Sequence, residues 1–211
     1  MTRNAMVWGA AGGIGRALVS KLREEEWHVL ALGHGVGQLS DLTDKVFEAD
    51  VSEASSVKQA LSEAIRSVES VDLWIYAAGD ISAAKVSDTS PDDWQRILDA
   101  NLVGAYLTTH YSLPILAPDS HLFYLGAVSE RLRLPRLSAY AAAKAGLEAF
   151  VQVVGKEERK RRVTLVRPEA VETALWDKVP FKVPPGALSP DEAANQIMDA
   201  YRDGQRGTLE F

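Results

Sequence analysis

A chain of 211 residues, 46% apolar and 25% charged, suits one globular domain, 1–211, with enough length to bury a sizeable core. Its net charge of −6 and pI near 5.3 argue against a general binder of nucleic acid or anionic membranes. With no cysteine, disulfides, thiol catalysis and cysteine-ligated zinc are excluded.

Short apolar runs alternate with longer amphipathic ones. Ala5–Trp8 reads as a first strand, and it runs into Gly9-Ala-Ala-Gly12-Gly13-Ile14-Gly15. That first run is too short for a signal peptide, and no run reaches the roughly 20 residues of a membrane span. A cytoplasmic location is the expectation. Arg16–Glu26 has the spacing of a helix, His28–Leu32 of a second strand and Val46–Ala49 of a third. Val57–Val68 repeats its apolar residues with helical period, and Leu73–Ala77 reads as a fourth strand. Ser90-Pro91-Asp92-Asp93 is a helix start, and Trp94–Leu116 follows as mostly helical. His121–Leu125, the helix Ala139–Glu157 and the strand Val163–Arg167 come next. Ser189-Pro190-Asp191-Glu192 opens a last helix, and Thr208–Phe211 is a candidate edge strand. This alternation predicts an α/β, doubly wound Rossmann fold: a parallel sheet of about seven strands with helices on both faces.

Two features carry chemistry. A strand, a glycine-rich turn and a helix start together make an anion site, because small residues let the backbone approach a phosphate and the helix end supplies N–H donors. The spacing here is Gly9-x-x-x-Gly13-x-Gly15. The second feature is Tyr140-x-x-x-Lys144. Residues four apart share a helix face. An ammonium beside a phenol favours the phenolate, and a phenol of lowered pKa can exchange a proton with an alcohol or carbonyl. The four histidines show no ligand spacing with carboxylates, so no metal is expected.

With these motifs the chain resembles the short-chain dehydrogenase/reductase family over essentially its whole length. The glycine spacing matches that family's dinucleotide loop, with Gly12 and Ile14 inside it. Asp50-Val51 stands where the family contacts the adenine, and Ala78-Gly79 ends the fourth strand as the family's Asn-Asn-Ala-Gly does. Asn101 resembles the asparagine that orders a proton-relay water. Tyr140 and Lys144 match the active-site pair, and Pro168-Glu-Ala-Val-Glu-Thr173 resembles the segment near the nicotinamide. The resemblance implies hydride transfer between NAD(P) and a carbonyl, alcohol or quinonoid small molecule. Tyr140 would be the acid or base, and Lys144 would hold the ribose and lower the tyrosine pKa. It also implies a homodimer or homotetramer through the helices at 102–116 and 139–157.

The chain departs from the family in several places. Ala127 stands where the family has its catalytic serine, with Ser129 two residues on. Tyr76-Ala77 replaces Asn-Asn, Trp8 replaces a threonine, and Glu169 replaces a glycine. Some of these departures are shared with dihydropteridine reductases, whose quinonoid substrate depends less on a serine donor. They leave open a catalytically impaired NAD(P)-binding regulatory or scaffold protein. No acid follows the second strand. His34 alone stands there, which leans the cofactor towards NADP over NAD. Residues 174–188, with Trp176, Val179, Phe181 and Val183, read as a short substrate lobe. The charge run Lys156–Arg162 reads as a solvated helix end.

Overall fold

Alternate residues of the first strand face opposite layers of core. In β1 (Asn4–Trp8), Met6 and Trp8 pack on one side of the sheet, and Ala5 and Val7 on the other. A strand buried on both faces belongs in the middle of a parallel sheet. The computed structural model, which describes residues 3–211, places it there. The seven strands run in the order β3-β2-β1-β4-β5-β6-β7, all parallel. They are β2 (His28–Gly33), β3 (Val46–Glu48), β4 (Val71–Tyr76), β5 (Leu116–Leu125), β6 (Arg162–Arg167) and β7 (Gly207–Glu210).

The helices are α1 (Gly13–Glu24), α2 (Ala54–Ala64), α3 (Pro91–Leu98), α4 (Gly104–Ser112), α5 (Ser138–Glu157) and α6 (Pro190–Arg202). Leu18 and Leu22 of α1 join Ile197 and Met198 of α6 in one core layer. Val57 and Leu61 of α2, Ala105 of α4 and Leu147 and Val151 of α5 form the other. The doubly wound expectation is met.

Several boundaries differ from the sequence reading, among them α2, which runs Ala54–Ala64 against the expected Val57–Val68. α1 starts at Gly13, because its glycines also form the first helical turn. The stretch expected as one helix to Leu116 is broken by a wide π turn, Asp99–Val103. β5 begins at Leu116, five residues early, where a register shift against β4 lets the strand absorb Pro118 and Asp119.

The order of strands reverses at β1, which has β2 on one side and β4 on the other. In such sheets the crevice beyond the strand ends is where ligands bind.

Candidate active site

At the end of β1 the chain turns through Gly9, whose φ is +77°. A side chain there would be strained and also blocked, since its Cβ would lie 2.3 Å from the backbone nitrogen of Ala78. Gly15 is equally confined, with a Cβ position 2.2 Å from the Gly9 carbonyl oxygen. Gly9 N–H donates to the Leu32 carbonyl at 2.8 Å, which sets the loop against β2. Gly12 is the N-cap of α1, with no side-chain cap and no acidic residue in the first turn. The end of α1 therefore keeps backbone donors and a partial positive charge available to an anion.

This loop walls a cavity of about 700 Å³. Gly9 and Gly12 line one side, His34, Asp50 and Val51 the end beyond β2 and β3, and Ala78 and Gly79 the side at β4. These seven predicted residues converge on one groove. His34 stands between two carboxylates there, with Nδ1 3.4 Å from Glu48 Oε1 and Nε2 3.4 Å from Asp50 Oδ2. Gly35 N–H donates to the same Glu48 oxygen at 2.8 Å. Hydrogen bonds from Ser52, its hydroxyl at 2.6 Å and its N–H at 2.9 Å, hold the Asp50 carboxyl below its ordinary range, and His34 adds to the effect. Carboxylates from the end of β3 thus stand beside the turn after β2, which has no acid of its own.

Gly79 connects the groove to the second cluster. A Cβ on it would lie 2.9 Å from Asn101 Oδ1 and 3.8 Å from Lys144 Nζ. Asn101 sits in the π turn, and its Nδ2 donates to the carbonyls of Asp80 at 2.7 Å and Ile97 at 2.8 Å. Its Oδ1 is buried with no protein partner, an acceptor suited to a water or hydroxyl. Tyr140 and Lys144 share a face of α5, with Nζ 5.6 Å from the phenol ring centre. Lys144 Nζ donates to the Leu125 carbonyl at 2.8 Å.

The expected lowering of the tyrosine pKa does not occur in this state of the chain. Burial pushes the Tyr140 phenol up to about 12 and Lys144 down to about 8. Loss of water penalises both charged forms, and the ammonium is turned to a carbonyl instead of the phenol oxygen.

Ala127 follows β5 without a hydroxyl. Ser129 is buried and donates to Glu148 Oε2 at 3.1 Å, so its hydroxyl is committed to the far turns of α5. Pro168 leaves β6 half-buried. Thr173 rests on the glycine loop, where a Cβ on Gly13 would come 2.8 Å from its Cγ2. Ile14 packs against the α1–α6 core layer. Trp8 is wholly buried among Trp74 and Tyr76, so it is a core residue and does not line the groove.

Besides Glu48, two contributors were not read from the sequence. Tyr76 donates its hydroxyl to the Ala100 carbonyl at 2.7 Å and so ties β4 to the turn holding Asn101. Asp80, beside Gly79, pairs with Arg96 of α3 and Lys178 of the lobe. Neither pairing leaves a local pattern, because the partners lie far apart in the chain.

Fold and groove together define a doubly wound α/β protein with its site at the switch point of the sheet. The family model described as short chain dehydrogenase matches residues 3–182, and the chain belongs to this family of oxidoreductases. An uncharacterized oxidoreductase of Staphylococcus aureus (strain USA300) is 30% identical over 182 residues, 81% of this chain and 79% of that protein. An alcohol dehydrogenase from Thermococcus sibiricus, complexed with 5-hydroxy-NADP, superposes with a TM-score of 0.91 at 22% identity, covering 100% of this chain and 96% of that one. A 3-ketoacyl-(acyl-carrier-protein) reductase from Brucella melitensis, complexed with NADH, gives 0.87 at 19% identity, covering 99% and 96%. These last two likenesses are of fold.

Proposed function

We propose that the protein is an NAD(P)-dependent reductase or dehydrogenase acting on a small carbonyl, alcohol or quinonoid substrate. The observation that carries this reading is the closeness of Asn101 and Lys144 to Gly79, which lines the glycine-loop groove, with Tyr140 beside Lys144. The uncapped end of α1 fits a pyrophosphate, and the unpartnered Asn101 Oδ1 fits a relay water. The binding of 5-hydroxy-NADP and NADH by the two structural neighbours agrees with this.

When bound, the nicotinamide supplies or accepts the hydride. The chain does the rest. Tyr140 gives or takes the proton at the substrate oxygen. Lys144 holds ribose hydroxyls and brings positive charge near the phenol. Asn101 keeps a route for the proton to solvent. Without a serine at Ala127, Tyr140 is the main donor to the substrate oxygen, which suits an easily reduced substrate.

His34 favours NADP, while the carboxylates of Glu48 and Asp50 beside it oppose a 2′-phosphate and suit the 2′-hydroxyl of NAD. Titration with NADH and NADPH, followed by the nucleotides' own fluorescence, separates the two. Tyr140→Phe should lower turnover by about 10²–10⁴-fold and leave nucleotide affinity nearly unchanged. Undiminished turnover in that variant rejects the assignment. The outer faces of α4 and α5 expose Tyr106 and Val153, a surface suited to pairing with a second copy. Light scattering of the purified chain measures that directly.

A further inference from the structure

Asp80 follows β4 directly after Gly79, and its carbonyl and both carboxylate oxygens are engaged. Its carbonyl accepts from Asn101 Nδ2 at 2.7 Å. Carboxylate Oδ1 accepts from Ile81 N–H at 2.9 Å and from Lys178 Nζ at 2.7 Å. Oδ2 pairs with Arg96, which Asp93 holds from behind at 3.2 Å. The Asp80 side chain is only 15% exposed, so solvent and salt weaken these pairs less than they weaken open surface pairs.

Lys178 belongs to the lobe that follows β6. The lobe's base is closed by a bridge between Val171 and Leu188, with Glu172 N–H donating to the Leu188 carbonyl at 2.8 Å. Trp176 Nε1 donates back to the Val171 carbonyl at 2.9 Å. Beyond that base, among the described residues, Lys178–Asp80 is the single salt bridge joining residues 174–188 to the body of the protein. Asp80, Arg96 and Lys178 line the same cavity as Gly9 and Gly12. The first turn of the lobe, Ala174–Lys178, is thus fastened at the wall of the groove by one mostly buried carboxylate.

We propose that Asp80 is a positioning residue, which holds the lobe closed beside the groove through Lys178 and so retains the bound dinucleotide. This rests on the reading of the groove as a nicotinamide cofactor site. Arg96 neutralises the carboxylate when Lys178 is away, so the lobe can open without leaving a buried charge unpaired. The sequence does not show this fastening, since Asp80 and Lys178 are separated by 98 positions.

The test uses the full chain with Lys178→Met and Asp80→Asn, and Lys178→Arg as the charge-keeping control. Hydrogen exchange is followed in the cofactor-free chain on peptides covering 174–188. Release of NADH or NADPH is followed by stopped-flow displacement. Both neutral variants should speed exchange in the lobe while β4 and α5 keep their protection. Both should release nucleotide about three- to fivefold faster, the scale expected of one partly exposed ion pair. Added salt should speed release from the parent chain but not from Lys178→Met, and Lys178→Arg should behave as the parent does.

Unchanged lobe exchange in Lys178→Met and Asp80→Asn overturns the fastening. Faster exchange with unchanged release overturns the role in retention. If the parent chain bound neither nucleotide, the cofactor reading and the retention role would fall together. Lobe exchange would then still decide the fastening by itself.

Discussion

Single side chains decide how well the two halves of the site stay in register. Tyr76 stands where the resemblance to the family implies an asparagine. In the fold its hydroxyl reaches the Ala100 carbonyl, next to Asn101, and burial keeps it neutral by pushing its pKa far upward. Tyr76→Phe leaves that carbonyl without its donor, a change on the order of 1–3 kcal/mol. We expect lower turnover and a modest drop in melting temperature, with nucleotide affinity held, as steady-state kinetics and calorimetry can measure. Gly15→Ala should act in the opposite way. Its methyl would meet the Gly9 carbonyl oxygen, so the loop must shift, and nucleotide titration should show binding lost while the chain stays folded.

Residues at this scale were partly legible. The glycines and the Tyr140–Lys144 pair stand out through fixed spacing, and Asn101 only through the resemblance. The direction of the tyrosine and lysine pKa shifts does not, because it depends on how much water each group loses. Glu48 was also hidden, as its contact with the turn after β2 depends on two strands lying side by side.

At the scale of elements, local signals located well the helix starts with serine caps, at Ser90 and Ser189, and helix interiors poorly. Ser189 accepts from Glu192 N–H while the Glu192 carboxylate accepts from Ser189 N–H, a reciprocal cap readable in the sequence. Ser189→Ala should cost about 1 kcal/mol, equivalent to roughly 2–4 °C in a thermal melt for a chain of this size. The π turn at Asp99–Val103 left no such trace. It is settled by tertiary contact, where Gly104 passes so close to β4 that a Cβ would lie 2.5 Å from the Tyr76 hydroxyl. The charge run at 156–162 is likewise more than a wet helix end. Arg161 is mostly buried and donates to the carbonyls of Leu113 at 3.2 Å, Leu116 at 3.0 Å and Ala117 at 3.2 Å. It closes the backbone where α4 gives way to β5.

For the whole molecule, stability is coupled to pH through one buried ring. His121 is fully buried beside Phe123, and its Nε2 lies 2.8 Å from Thr164 Oγ1. The Thr164 hydroxyl donates to the Gln205 carbonyl, so the ring must donate from Nε2. Its Nδ1 has no partner in the protein, and a proton there would be stranded. Burial first, then the charges of Arg162 and Arg206, bring its pKa down from 6.5 to about 3. The folded state therefore resists a proton that the unfolded chain accepts. The contribution of His121 to stability should be full above about pH 6.5 and fall as pH drops towards 3. Chemical denaturation at several pH values should show that decline, and His121→Phe should flatten it.

The place of β1 in the sheet bears on how the chain reaches its native state. β1, the earliest in sequence of the seven strands, lies inside the sheet, and its second neighbour, β4, begins only at Val71. Ala77 N–H must find the Trp8 carbonyl, 2.8 Å away in the finished fold, before the turn at Gly9 is set from both sides. Pairings this distant in sequence make folding slow. A nascent chain emerging from the ribosome would carry its glycine loop exposed and unable to hold a nucleotide until the β4 segment had been synthesised. Ligand binding is thus a late event in the life of each molecule, and arrested fragments ending before residue 71 should show none of it.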